Sequence, residues 1–283
     1  MKVGYLSDRG KKRELDEDSI IIVRNNAVYG SDKDQAVLLV VADGMGGHNA
    51  GEVASRLATA KVAEEMVRVM IERDQRDSFD EKGENPLINA VKRANSYIFN
   101  EVKKNPQYKG MGTTVTAAVV LGHTVYIGHV GDSRAYIINE KEIRQITTDH
   151  SLVQEMVDRG EIKREEAKEH PRKNIITRAV GIYEDIDVDI FKEYIYGEDY
   201  LLICCDGLTD MVLDEDICKM VRRYGDPQKI CCELVRKANK NGGLDNISVI
   251  VAQFDELPGI KLIESHKTQI IDRDETRILE EDG

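Results

Sequence analysis

Thr113-Thr114-Val115-Thr116-Ala117-Ala118-Val119-Val120 is followed, after Leu121-Gly122-His123, by Thr124-Val125-Tyr126-Ile127-Gly128-His129-Val130. Both stretches are short, apolar and rich in β-branched residues, which suits strands. The link between them is too short for the crossover that parallel strands need, so the pair is expected to run antiparallel as a hairpin. Asn139-Glu140-Lys141 separates the next apolar run, 135–138, from its neighbour in the same way. Similar runs at 20–23, 37–41, 201–203 and 247–252 extend the strand set.

Helical spacing occupies the gaps between strand runs. Over 50–71, Val53, Leu57, Val62, Met66 and Met70 recur near one face; over 86–102, Ile88, Val91, Tyr97, Ile98 and Val102 do the same. A third helix is punctuated at both ends. Asp226 can cap it, Pro227 takes its first position, Ile230, Leu234 and Ala238 form its stripe, and Asn241-Gly242-Gly243 stops it. Mostly antiparallel sheet with helices segregated between strand runs is an α+β pattern. The globular pattern covers 1–254. From 255 to 283 there is no aromatic residue, and nine carboxylates face four Lys or Arg, so this segment reads as a flexible acidic tail.

The chain has 283 residues, 41% of them hydrophobic, ample for a buried core. A net charge of -12 argues against nucleic-acid binding, which needs a basic face. The five cysteines include two adjacent pairs and no C-x-x-C, so they read as buried thiols in a reducing cytosol rather than a disulfide framework or zinc site. No apolar leader opens the chain, and the longest apolar run, 36–42, is too short to span a bilayer. A cytoplasmic monomer is the expectation.

One pattern carries chemistry. Asp followed by Gly, Ser or Asn appears at strand ends as Ala42-Asp43-Gly44, Cys205-Asp206-Gly207, Gly131-Asp132-Ser133 and Leu244-Asp245-Asn246. A lone Asp-Gly signals a turn. Four such aspartates bordering apolar runs are costly to desolvate unless cations meet them, and only Arg134 lies beside one in sequence. Divalent ions would meet them. Oxygen donors with few or no histidines suit Mg²⁺ or Mn²⁺ rather than Zn²⁺. A second cluster, Arg13-Glu14-Leu15-Asp16-Glu17-Asp18, supplies carboxylates and an arginine, the natural partner of phosphate. Paired divalent ions lower the pKa of bound water and polarise phosphate, which points to phosphoester hydrolysis. Other chemistries fail on spacing. No cysteine is followed six positions later by Arg, Asp185-Ile186-Asp187 follows no buried strand, Asn49 stands where a dinucleotide loop needs its third glycine, and no phosphate-binding G-x-x-x-x-G-K-[ST] loop occurs. Charge logic alone leaves two alternatives: a two-metal enzyme acting on nucleotides or small phosphoesters, and a binding scaffold with little turnover.

Several segments in order resemble the metal-dependent type 2C protein phosphatase family in its compact bacterial form. They are Ser7-Asp8-Arg9-Gly10, the cluster from Arg13 to Ser19, Asp43-Gly44-Met45-Gly46-Gly47-His48, Gly110-Met111-Gly112-Thr113-Thr114, Gly131-Asp132-Ser133-Arg134, His170-Pro171 through Thr177-Arg178-Ala179-Val180-Gly181, Cys205-Asp206-Gly207 and Gly243-Leu244-Asp245-Asn246. The resemblance covers about residues 3–254. It implies a four-layer α-β-β-α sandwich around two mostly antiparallel sheets. It also implies hydrolysis of phosphoserine and phosphothreonine in proteins by metal-bound hydroxide, with phosphoprotein substrates and a cognate serine/threonine kinase as partners. By the same resemblance, Asp43 bridges two Mn²⁺ or Mg²⁺ ions, the Gly44 carbonyl binds one, and Asp206 and Asp245 complete the other. Glu17 and Asp18 act at the pair directly or through water, Arg13 holds the phosphate, and Asp132 helps Asp206 hold a weaker third ion.

Two departures, one histidine and two segments complete the reading. Met45 stands where many eukaryotic members carry a histidine proposed as general acid, and Asp16 stands where bacterial members commonly carry Asn. His48 reads as a loop or helix-start residue. The charged stretch 151–173 resembles the family's flap and is expected to sort substrates by opening and closing. Thr268 and Thr276 in the tail are candidate phosphorylation sites.

Overall fold

Alternation along single strands builds the architecture, because successive side chains of a strand point to opposite faces. The computed structural model describes residues 1–25, 36–46, 50–71, 77–80, 85–254 and 269–270. Its strands are β1 (Lys2–Asp8), β2 (Asp18–Asn25), β3 (Ala36–Met45), β4 (Gly112–Thr113), β5 (Val115–Leu121), β6 (Thr124–Val130), β7 (Arg134–Ile138), β8 (Ile143–Gln145), β9 (Asp189–Tyr194), β10 (Tyr200–Cys204), β11 (Ile247–Gln253) and β12 (Gln269–Ile270). Its helices are α1 (Ala50–Ile71), α2 (Pro86–Lys104), α3 (Leu152–Asp158), α4 (Arg164–Ala167), α5 (Asp206–Thr209), α6 (Asp214–Tyr224) and α7 (Pro227–Lys240).

One sheet has the order β12-β9-β6-β5-β3-β2, with β4 added to β3; the other has the order β1-β11-β10-β7-β8. Pairing in both is antiparallel. Within β3, Val37, Leu39 and Val41 face the other sheet, where they meet Ala135, Ile137, Leu201, Ile203 and Ile250. Leu38, Val40 and Ala42 face the opposite way, onto Ala54, Ala58, Val62 and Met66 of α1 and Ala90 and Val91 of α2. On the second sheet, Tyr136, Ile138, Leu202, Val249 and Val251 pack under Ile217 and Val221 of α6 and Ile230 and Leu234 of α7. Three apolar layers therefore separate four structural layers, the α-β-β-α sandwich expected from the resemblance.

The β5–β6 hairpin closes with Leu121 opposite Thr124, a link of two residues. Asn139 organises the β7–β8 turn, its side-chain oxygen accepting from Lys141 N at 2.8 Å and Glu142 N at 2.9 Å. The third predicted helix has the anticipated start, with Asp226 accepting from Lys229 N at 2.8 Å. Other expectations need correction. The run 113–120 is not one strand: it breaks at Thr114, whose N–H turns to the Asp43 carbonyl. The buried face of α1 centres on small residues, Ala50, Ala54, Ser55, Ala58 and Thr59, because the helix packs against β2, β3 and α2 together; Val53 and Leu57 sit at its margin. Tyr97 lies outside the core at 40% exposure, with Lys61 Nζ 4.6 Å from its ring centre. Cys232 is exposed, while the other four cysteines are buried.

No described helix is long and apolar enough to cross a membrane. Of the predicted tail, only Gln269 and Ile270 are described, paired with Lys192 and Phe191 of β9. His48, Thr268 and Thr276 lie outside the described residues.

The middle layer is the structural spine. Leu39→Ala, fully buried there, is expected to destabilise the protein by about 2–5 kcal/mol. Tyr5→Ser, at a side chain 55% exposed on β1, should stay within about 0.5 kcal/mol. Denaturant midpoints of the two variants measure the contrast, and equal losses would contradict the layer assignment.

Candidate active site

Antiparallel register sets Asp18 of β2 directly opposite Asp43 of β3. Like charges in that position repel. Asp206 begins α5 immediately after β10, Asp245 precedes β11, and Asp132 lies where the chain passes from β6 in one sheet to β7 in the other. The ends of both sheets thus deliver the predicted aspartates to one region. Burial pushes the Asp43 carboxyl well above its ordinary range, and the charges of Asp18, Asp206, Asp132 and Asp245 push it further. Burial with the charges of Asp16 and Asp206 raises Asp18 to about 7. Burial with Asp210 and Asp245 raises Asp206 to about 6. Asp132 is driven well upward by burial, then by Asp206 and Asp149.

Among the described residues, the buried side-chain nitrogen and oxygen atoms without a hydrogen-bond partner are all carboxylate oxygens of this group: Asp18 Oδ1 and Oδ2, Asp132 Oδ1 and Asp206 Oδ1. Unsatisfied oxygens at such depth are costly unless a cation meets them. Among those residues no Lys or Arg pairs with Asp18, Asp43, Asp132 or Asp206. Arg134, the one base adjacent in sequence, is instead bidentate to Asp149, with Nη2 to Oδ2 at 2.6 Å and Nε to Oδ1 at 2.9 Å. An all-oxygen set of converging, unneutralised carboxylates fits hard divalent ions.

The first cluster splits its duties. Glu17 is partly buried against the start of α1, and burial with the Asp245 charge raises its carboxyl against the opposing pull of Arg13. Arg13 reaches Asp245 with Nη2 at 2.6 Å and Glu17 at 3.8 Å, and stays 47% exposed. Asp16 stands beside Asp18 at the edge of the cluster. It accepts from the Ser7 hydroxyl at 2.6 Å and from Asp18 N at 3.2 Å, so its second oxygen does work that an amide could not do as acceptor on both sides. Gly44 has a steric duty beyond its carbonyl: a Cβ there would lie 2.2 Å from the Gly51 carbonyl and 2.4 Å from that of Glu17.

Several positioning residues escaped the sequence reading. Asn246 accepts from Glu17 N at 2.9 Å and donates to the carbonyls of Leu15 at 2.8 Å and Arg9 at 3.0 Å, fastening the first loop beside Asp245. Its carbonyl would lie 1.9 Å from a Cβ on Gly207, which is why glycine follows Asp206. Thr114 accepts from Asp43 N at 2.9 Å and shares a 2.8 Å hydrogen bond with Ser133, linking Asp43 to the Asp132 turn. His150 accepts from Gly131 N at 3.0 Å and donates to Asp189 at 3.0 Å, holding that turn from the other side. Cys205 brings its sulfur, with carboxylate oxygens of Asp18 and Asp43, into a group whose atoms all lie within 4.8 Å of one another. Asn246 and Cys205 flank predicted aspartates, and adjacency was the one available signal.

A cleft of about 670 Å³ opens beside Asp132 and Asp206. Its far wall comes from the predicted flap: Gln154 on α3, Arg164 on α4, and Lys168 and Lys173 beyond. Ser151 caps α3, accepting from Gln154 N at 3.3 Å. Lys173 Nζ pairs with Asp210 at 2.6 Å, fastening the end of the segment one helical turn from Asp206.

The chain matches the family model described as Protein phosphatase 2C over residues 22–241. It is 36% identical to "Serine/threonine phosphatase stp" of Listeria monocytogenes over 260 residues, covering 90% of this chain and 96% of that one. The crystal structure of the serine/threonine phosphatase Stp1 from Staphylococcus aureus superposes with a TM-score of 0.78 at 37% identity, over 90% of this chain and 95% of that one. The catalytic domain of the serine/threonine phosphatase PstP, solved with two manganese ions, superposes with a TM-score of 0.73 at 34% identity, over 90% and 98%. With a family model matched over residues 22–241 and a relative 36% identical across 90% of the chain, the chain belongs to the protein phosphatase 2C family.

Proposed function

We propose that the chain hydrolyses phosphoserine and phosphothreonine in proteins, reversing a serine/threonine kinase, at a centre built for two Mn²⁺ or Mg²⁺ ions. The observation that carries the proposal is the set of buried, partnerless carboxylate oxygens on Asp18, Asp132 and Asp206, gathered around Asp43, whose carboxyl burial and these neighbouring charges push upward. Asp43, the Gly44 carbonyl, Asp206 and Asp245 would hold the pair, with Glu17 and Asp18 beside them directly or through water. Asp132 and Asp206, which share the cleft wall, would hold a weaker third ion. When bound, such ions supply Lewis-acid polarisation of water and phosphate. Arg13 stands at the exposed rim with a planar guanidinium suited to phosphate oxygens. Met45 has no proton to give, so protonation of the leaving oxygen falls to water or to another residue at the site. The flap at 151–173 closes the cleft wall and selects among phosphoproteins.

Phosphate release from a phosphothreonine peptide, with Mn²⁺ and with chelator, tests the whole reading. Wild type is expected to release phosphate only with metal, and Asp43→Asn to lose at least about a hundredfold in kcat, on the scale of losing one electrostatic stabiliser. Equal rates with and without metal would refute the proposal.

Arg13→Ala is expected to raise KM for that peptide by about tenfold or more, the scale of a lost charge-assisted hydrogen bond, with a smaller change in kcat. An unchanged KM would remove Arg13 from phosphate binding.

The carboxyl shifts fix a pH dependence. In chelator, the folded chain keeps protons on Asp18 up to about 7 and on Asp206 up to about 6, whereas the unfolded chain releases them near 4. At these carboxyls the native state binds more protons between those limits, so their contribution to stability falls as pH rises; buried His129, held down to about 3, contributes with the opposite sign, one group against the several raised carboxyls. Melting temperatures in chelator should therefore drop from about pH 4.5 to 7, and Mn²⁺ should recover the loss at neutral pH by binding the folded state. Asp18→Asn should flatten the chelator profile; a profile rising with pH would contradict the burial of these groups.

A further inference from the structure

Five basic side chains border the cleft beside Asp132 and Asp206, and three of them are already neutralised. Arg134 is bidentate to Asp149, Arg144 sends Nη1 and Nη2 to Glu193 at 3.0 and 2.7 Å, and Lys173 pairs with Asp210 at 2.6 Å. Arg164 and Lys168 are the exceptions. Both are exposed, and among the described residues neither has a carboxylate partner. They stand four positions apart, on α4 and at its helical C-cap, so they share one face of the flap. Arg164 Nη2 donates to a neutral group, Gln145 Oε1, at 3.2 Å. Gln145 is itself fixed, its amide nitrogen donating to the Thr147 carbonyl at 2.8 Å and to Asp149 Oδ1 at 3.0 Å. A polar bridge thus runs from sheet to flap through Arg134, Asp149, Gln145 and Arg164. It holds a guanidinium at the cleft with its charge uncompensated, because the one acid in the bridge already serves Arg134. Glu169 adjoins Lys168 on the same wall and leaves that wall net positive. Elsewhere on the cleft, Asp214 accepts from the Tyr136 hydroxyl at 3.3 Å.

We propose that Arg164 and Lys168 are specificity-determining residues that bind carboxylate side chains flanking the phosphorylated residue, so that the preferred substrates are acidic phosphopeptide segments. The inference rests on the phosphatase reading above and names the substrate class that the flap selects. Asp132, Asp206 and the two bases border one continuous cleft. A peptide whose phosphate lies at the centre and whose chain leaves along the cleft therefore passes both bases. The planar fork of Arg164 matches a carboxylate, and Lys168 adds a point charge beside it. Two uncompensated positive charges attract Asp or Glu and repel Lys or Arg at the same place, which is how charge sets specificity. The chain as a whole carries a net charge of -12 and repels acidic segments, so a local basic wall decides where such a segment can approach. Because Gln145 already orients Arg164, less side-chain freedom is lost on binding.

The test uses the full chain with saturating Mn²⁺ and phosphothreonine peptides of one length, identical except for Glu, Gln or Lys beside the phosphothreonine on either side. The readout is the ratio of kcat/KM between peptides, from which a general change in activity cancels. Wild type is expected to favour the Glu peptides over the Gln peptides by about threefold to tenfold, the scale of one or two partly exposed ion pairs. The Lys peptides should rank last, the differences should lie in KM, and all of them should shrink at high salt. Arg164→Gln combined with Lys168→Gln should bring the Glu-to-Gln ratio near one, and Arg164→Glu combined with Lys168→Glu should turn the preference towards Lys. Equal kcat/KM for the three peptide classes in wild type overturns the inference without need of any variant. A Glu preference that survives both double substitutions overturns it equally. If phosphopeptides are hydrolysed without regard to their charge, this inference alone fails; if none is hydrolysed at any metal concentration, the phosphatase reading fails and this inference with it.

Discussion

Everything at this site follows from one register: Asp18 opposite Asp43 across the β2–β3 pair. A slip of one residue would relieve the repulsion, but it would also turn Val37, Leu39 and Val41 out of the middle layer and Leu38 and Val40 away from α1. Because a one-residue shift inverts every side chain of a strand, the apolar layers enforce a pairing that electrostatics alone would reject. The hydrophobic pattern thus holds two carboxylates together against their charge, and the cost becomes an affinity for cations.

The same logic explains why two sheets are needed. Asp18 and Asp43 belong to one sheet, while Asp206 and Asp245 adjoin strands of the other, and Asp132 marks the passage between them. Face-to-face sheets stand about 10 Å apart, so the spacing of the site is set by the volume of the residues between them. Hydrogen bonds then trim that spacing. Asn246 ties the first loop to the start of β11, and the Thr114–Ser133 contact ties Asp43 to the Asp132 turn. A change in the middle layer therefore reaches the site through geometry rather than through any direct contact with the aspartates.

Much of this was legible in the chain. Hairpin links, the capped third helix and the recurring aspartates follow from spacing and from the cost of burying charge. What stayed hidden has physical reasons. Strands β1, β8 and β9 lie towards sheet edges with mixed burial, so Lys2–Asp8, Ile143–Gln145 and Asp189–Tyr194 lack the apolar run that marks a central strand. The face of α1 was misjudged because close helix–sheet packing favours alanine, serine and threonine, which a search for large apolar residues passes over. Asn246, His150 and Cys205 act through contacts spanning tens to hundreds of positions, such as the 229 separating Asn246 from Glu17. No local pattern encodes them.

The distribution of positive charge explains why so acidic a centre remains open to metal. Arg134 is held by Asp149 and Lys173 by Asp210, each cation fixed one step away from the aspartates that carry the unsatisfied oxygens. A lysine or arginine inserted among Asp18, Asp43 and Asp206 would neutralise them permanently, but a side chain brings one charge on a bulky stem, whereas a divalent ion brings two in the space of a water molecule. By assigning its bases to neighbouring carboxylates, the fold keeps those oxygens for small ions of high charge. Arg13 on Asp245 is the exception, and it sits at the solvent-exposed rim. There the cation does not close the centre, and under the proposed function it would meet the one anion that enters from outside, the phosphate.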